Sequence, residues 1–165
     1  MSVTDDLLKN NERYAEGFDK ADLAKAPAKQ LAVVACMDAR LDVYSILGLE
    51  PGDAHVIRNA GGIVSDEEIR SLTISQRALG TREIVLIHHT GCGMQGLDDE
   101  DFTSELERET GTRPPWRPGG FDDLEQDVRE SIARIRESPF IPHTDNVRGF
   151  VYDVETGRLA EVAAQ

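Results

Sequence analysis

The feature that most constrains this chain is the run Leu31-Ala32-Val33-Val34-Ala35, apolar throughout and broken at Cys36. A strand that is apolar at every position must be buried on both faces, which is the pattern of a parallel sheet covered on each side. A second such run, Ile84-Val85-Leu86-Ile87-His88, opens at Glu83 and leads directly into His89-Thr90-Gly91-Cys92-Gly93. Both strands therefore end in metal-binding or reactive side chains. They do so at the carboxyl edge of the sheet, where sites of open α/β folds form.

The remaining segments fit around these two strands. Thr4 before Asp5 and Asp6 predicts a helix start, with Leu7, Leu8, Tyr14, Ala15 and Phe18 at helical spacing, so residues 4–25 read as an amphipathic arm of one helix or two. A weaker strand is expected over Ala54-His55-Val56-Ile57-Arg58, between the turn signal Pro51-Gly52-Asp53 and the pair Gly61-Gly62. Ser65 with Glu68 makes a capping box for a helix that carries Ile69, Leu72 and Leu79 and stops at Gly80. Residues 98–120 are polar and hold Pro114, Pro115 and Pro118, which predicts a short helix and a surface loop able to act as a flap. Phe121, Leu124, Val128, Ile132 and Ile135 mark an amphipathic helix over 121–136, ended near Ser138-Pro139. Segments 147–154 and 158–162 flank the turn Glu155-Thr156-Gly157 as two antiparallel strands. No repeat or linker divides the chain. The expectation is one α/β domain over 1–165, with a mainly parallel central sheet, an antiparallel edge strand and helices on both faces.

Charge narrows the partners. With 18 basic and 31 acidic residues the net charge is −13, which repels nucleic acid and anionic membrane. The start Met1-Ser2-Val3-Thr4-Asp5-Asp6 has neither the basic opening nor the apolar run of a secretory signal, and no stretch reaches the ~18 apolar residues of a membrane span. A soluble cytoplasmic protein is expected. In such a reducing compartment Cys36 and Cys92 are either small buried side chains or chemical groups, not a disulfide pair.

If the two apolar strands are neighbours, ~4.8 Å apart, Cys36 from one can meet His89 and Cys92 from the other. One imidazole and two thiolates suit zinc and leave a fourth tetrahedral position open, as a catalytic zinc requires. His88 is the competing ligand, but it points to the opposite face of the strand from His89. His55 and His143 lack a partner and read as structural or surface residues. Asp38 and Arg40 form either a plain surface ion pair or a functional one, since the arginine fork can hold a carboxylate through two bonds.

Cys36-Met37-Asp38-Ala39-Arg40 and His89-Thr90-Gly91-Cys92 carry intact the motifs Cys-x-Asp-x-Arg and His-x-x-Cys, and here the sequence resembles the β-class carbonic anhydrases. The likeness continues through Ile57-Arg58-Asn59-Ala60-Gly61-Gly62 and Val147-Arg148-Gly149-Phe150-Val151-Tyr152-Asp153, and is strongest to the short members of that class. It implies one Zn(2+) per chain on Cys36, His89 and Cys92, with Asp38 and Arg40 paired beside it and Asp38 able to serve as a fourth ligand in a closed form. It implies a zinc lyase that hydrates carbon dioxide to bicarbonate by attack of metal-held hydroxide, and a homodimer or higher homo-oligomer. The alternative activity is hydrolysis of carbonyl sulfide or carbon disulfide at the same site.

Three rival readings remain. Gly91-Cys92-Gly93-Met94-Gln95-Gly96 fits a dinucleotide-binding Gly-x-Gly-x-x-Gly, but acidic residues and a proline-rich loop follow where an apolar-faced helix should. A nucleophilic cysteine in an oxyanion-binding loop is disfavoured by Asp38, which would repel the anion. A closed, structural zinc site would make the protein a non-catalytic zinc-binding domain.

Overall fold

The computed structural model describes residues 2–164. Its centre is one five-stranded sheet built from β1 (Leu31–Cys36), β2 (Ala54–Asn59), β3 (Glu83–His89), β4 (Val147–Tyr152) and β5 (Leu159–Val162), in the order β2-β1-β3-β4-β5. The first four strands are mutually parallel and β5 pairs antiparallel with β4. This is the expected α/β arrangement. Register sets β1 between β2 and β3, with Ala35 opposite both Arg58 and Ile87.

Alternation along β1 and β3 separates the core into two layers. Ala32, Val34, Ile84 and Leu86 pack with Leu72 of α3 (Asp66–Leu79) and with Val128, Ile132 and Ile135 of α5 (Leu124–Glu137). Val33, Ala35 and Ile87 pack on the other face with Leu41, Leu49 and Val43, the last on the short helix α2 (Val43–Leu47). The capping box of α3 forms as its sequence predicts: the Ser65 N–H donates to Glu68 Oε2 at 2.9 Å, and Gly80 closes the helix in the left-handed region.

Several boundaries differ from the sequence reading. The first helix, α1, is Val3–Glu16 and is capped by Ser2, whose side chain and backbone exchange bonds with Asp5; Thr4 is already inside it. It buries none of its own residues, and 17–30 are not helical. The polar segment after β3 contains α4 (Asp99–Thr110), a longer helix than expected, and Gly120 is tied back to it by its N–H donating to Asp99 Oδ1 at 2.7 Å. Phe121 stands outside α5, because Asp123 caps that helix instead. No helix among the described residues is long and apolar enough to cross a membrane.

Helix α5 approaches the sheet closely at Gly149 on β4. A Cβ there would lie 2.3 Å from Val128 Cγ1 and 3.0 Å from Ile132 Cδ1, so only glycine lets α5 seat on β4. Gly149→Ala is expected to destabilise the fold by about 1–3 kcal/mol, the usual cost of forcing an extra methyl into a packed core. Urea denaturation with unchanged slope and lower midpoint is the expected result, and an unchanged midpoint would contradict this packing.

Candidate metal centre

Cys36 is the last residue of β1 and His89 the last of β3, so the adjacency of these strands delivers both to one point. Cys92 follows in the turn after β3, where Gly91 adopts φ +63°. The ligand atoms of Cys36, His89 and Cys92 all lie within 4.8 Å of one another, and the three side chains are buried. Among the described residues this is the one group of three or more His, Cys, Asp or Glu side chains so placed.

The separations fit one tetrahedral ion. The two sulfurs stand 4.0 Å apart. Zinc–sulfur bonds of ~2.3 Å at a tetrahedral angle require ~3.8 Å. The histidine is oriented for ligation as well: Nδ1 lies 2.9 Å from the Thr90 carbonyl oxygen, which can only accept, so Nδ1 carries the proton. Its Nε2 is fully buried, lies in the group with the two sulfurs and has no hydrogen-bond partner among the described residues. An orphaned buried imidazole nitrogen beside two thiols costs stability unless something binds it.

The protein groups bias this cluster toward its ligating charge state unevenly. Burial opposes ionisation of Cys36, but the neighbouring His89 ring and the N–H groups of Asp38 and Gly61 outweigh it and bring the thiol down to about 7. The Cys36 sulfur in turn raises His89. Burial pushes the Cys92 thiol up, against opposing N–H groups of Met94 and Gln95.

Asp38 and Arg40 sit at the mouth of the group. Arg40 donates from its backbone N–H and its Nε to Asp38 Oδ1, both at 2.9 Å, and from Nη2 to Oδ2 at 2.8 Å. The same Nη2 donates to the Gly91 carbonyl at 3.0 Å, so one guanidinium links the two motif turns. The Asp38 carboxyl is held far below the ordinary carboxylate range by these bonds from Arg40. Its Oδ2 lies 3.7 Å from His89 Nε2. The Asp38 side chain is 19% exposed and that of Arg40 52%, so the pair connects a buried group to solvent. An open cleft of about 620 Å³ beside α5 contains none of these residues.

The structure thus gathers all five residues singled out in the sequence. His88 is excluded from the cluster: it is fully buried on the other face, with Nε2 2.5 Å from Asp127 Oδ2 on α5 and its ring 5.7 Å from that of Phe121. His55 bonds Ser75 through Nδ1 at 2.8 Å. Gly62, read in the sequence only as a turn signal, has a steric role at the centre. Its φ is +70°, and a Cβ there would stand 2.9 Å from Cys36 N and 3.0 Å from the Ile87 carbonyl oxygen.

Comparison with known proteins agrees with this geometry. The carbonic anhydrase family profile matches residues 31–159. The chain belongs to the β-carbonic anhydrase family. β-Carbonic anhydrase 1 of Mycobacterium tuberculosis is 57% identical over 162 residues, covering 98% of this chain and 99% of that protein. The crystal structure of a carbonic anhydrase from Streptococcus mutans superposes with a TM-score of 0.91 at 45% identity, covering 99% of each chain. A carbon disulfide hydrolase of Acidithiobacillus thiooxidans is more distant, at 37% identity over 96% of this chain and 90% of that one. As a β-carbonic anhydrase the chain is an enzyme, a lyase of the carbonate dehydratase type, and zinc is the cofactor.

Replacing one sulfur tests the donor set. Cys92→Ser is expected to lose most of its zinc in metal analysis of dialysed protein while keeping its circular dichroism spectrum. Full retention of zinc would break the ligand assignment.

Proposed function

We propose that this chain hydrates carbon dioxide to bicarbonate with Cys36, His89 and Cys92 holding one zinc ion, and with Asp38 and Arg40 as the catalytic pair. The observation that carries this reading is the convergence of two sulfurs and an orphaned imidazole nitrogen beside a carboxylate that is itself locked to an arginine. The bound ion supplies hydroxide from water near neutrality. Two thiolates neutralise the formal charge of the ion, so the acidification is weaker than three imidazoles would give. Arg40 keeps both Asp38 oxygens engaged, which holds the carboxylate aside as a hydrogen-bond acceptor, so that zinc held by Cys36, His89 and Cys92 would keep room for a water. Swung free of Arg40, Asp38 would ligate and close the site. The structural-zinc reading needs that closed form, and the Arg40 pairing argues against it.

Carbon dioxide is preferred over carbon disulfide or carbonyl sulfide because the relative named as a carbonic anhydrase is 57% identical and the one named as a carbon disulfide hydrolase 37%. Stopped-flow hydration of carbon dioxide, with carbonyl sulfide hydrolysis on the same zinc-loaded sample, is the test. Fast hydration is expected, and sulfide release alone would move the protein to the hydrolase branch. Turnover should climb between about pH 6 and 9 rather than stay flat, given the weakened acidification. Asp38 cannot cause that rise, because it stays ionised well below that range. Asp38→Ala should keep its zinc and lose turnover roughly 10²-fold or more, the usual weight of a positioned proton acceptor.

The working form is a cytoplasmic homodimer. Helix α1 carries Leu7, Leu8 and Tyr14 more than half exposed, and Phe18 just beyond it packs its ring on Tyr14 at 5.8 Å. An amphipathic helix with no buried residue needs an apolar surface from elsewhere, and a second copy supplies one. Sedimentation of Leu7→Ser/Tyr14→Ser should show monomer where the parent shows dimer, and an unaltered dimer would remove α1 from the interface.

A further inference from the structure

Arg58 lies on β2, opposite Ala35 of β1, one rung before the ligand Cys36. Its guanidinium reaches past the end of β1 and takes two main-chain carbonyls of the motif turn: Nε donates to the Cys36 carbonyl at 3.0 Å and Nη2 to the Asp38 carbonyl at 2.8 Å. The Asp38 carbonyl also accepts the Leu41 N–H at 3.0 Å, and the Met37 N–H donates to the Asn59 carbonyl at 2.7 Å. The turn from 36 to 41 is therefore stitched to β2 by one backbone bond and one side chain. Pairing of β1 with β3 ends at Ala35–Ile87, one rung before Cys36.

Relying on the metal-centre reading above, we infer that Arg58 is a positioning residue for it. Its fork grips the backbone that carries both a sulfur ligand and the gate carboxylate, fixing where Cys36 Sγ points and keeping Asp38 within reach of Arg40. Arg40 acts on the Asp38 side chain and Arg58 on the Asp38 main chain. Neither bond can substitute for the other, because a carboxylate paired correctly on a displaced backbone lands in the wrong place. Arg58 touches no reacting group. Arginine holds its donors in a fixed planar fork, whereas lysine presents one compact ammonium on a flexible stem.

The test compares the parent with Arg58→Ala and Arg58→Lys in three measurements: zinc affinity by competition with a chromophoric chelator, the visible spectrum of the cobalt(II)-substituted protein, and thermal unfolding of the metal-free chain. Both variants should bind zinc about 10-fold or more weakly, the usual loss when a group that orients a metal ligand is removed. Both should also shift the cobalt bands that report ligand geometry, with metal-free unfolding temperatures close to the parent's. Parent-like zinc affinity and cobalt bands in Arg58→Ala would overturn the inference. So would recovery of parent behaviour in Arg58→Lys, which would make the effect one of charge. A loss of zinc matched by an equal loss of metal-free stability would overturn it too, reducing Arg58 to a general contribution to the fold. A parent chain that takes up neither metal would instead remove the metal-centre reading, and this inference with it.

Discussion

Everything at the metal centre depends on β1 lying beside β3 in parallel. Parallel pairing brings the carboxyl ends of both strands to the same edge, so Cys36 and His89 leave the sheet side by side although 53 positions apart in sequence (89 less 36). Antiparallel pairing would send one of them to the opposite edge. Gly62 shows how tight the arrangement is, since its Cα sits against both strands with no room for a methyl group. The buried layers that keep the two strands together are thus also what set the sulfur-to-sulfur distance of 4.0 Å.

A cluster of two thiols and an imidazole is not a stable occupant of a protein interior by itself. Burial drives Cys92 toward its neutral form, while local N–H groups and His89 favour the Cys36 thiolate. Among the described residues nothing hydrogen-bonds His89 Nε2. A divalent ion resolves all three at once, because it takes the lone pair and balances the thiolates. The fold therefore leaves a local debt that metal binding settles, and the size and completeness of the two core layers are what let it do so without unfolding.

What could be read from the sequence divides along the same physical line. Strands β1 and β3, the α3 capping box and α5 were legible because each has a local signal: continuous apolar residues, Ser65 with Glu68, or apolar spacing of three and four. The five candidate residues that the structure brings together stood out for a similar reason, as reactive types placed directly after buried strands. Helix α2 was missed, since five residues carry too little periodicity to register and its Asp42 cap looks like any loop aspartate. Phe121 was put in α5 because it continues the apolar spacing, whereas its partner is elsewhere: its N–H donates to the Met94 carbonyl at 3.2 Å. The steric role of Gly62 and the grip of Arg58 on two carbonyls depend on contacts between separate segments, and no local pattern encodes such contacts.

His88 and His89 make the last step of the argument. Two adjacent, chemically identical side chains on β3 have opposite fates because successive residues of a strand face opposite sides of the sheet. His89 turns toward the sulfurs, and Thr90 fixes its proton on Nδ1. His88 turns into the layer beneath α5, where Asp127 holds it 2.5 Å away. A register slip of one residue would exchange their faces, turning His89 toward α5 and His88 toward the side of the sulfurs, and would replace Ile84 and Leu86 in their layer. The register of β3 against β1 therefore decides which histidine joins the two sulfurs.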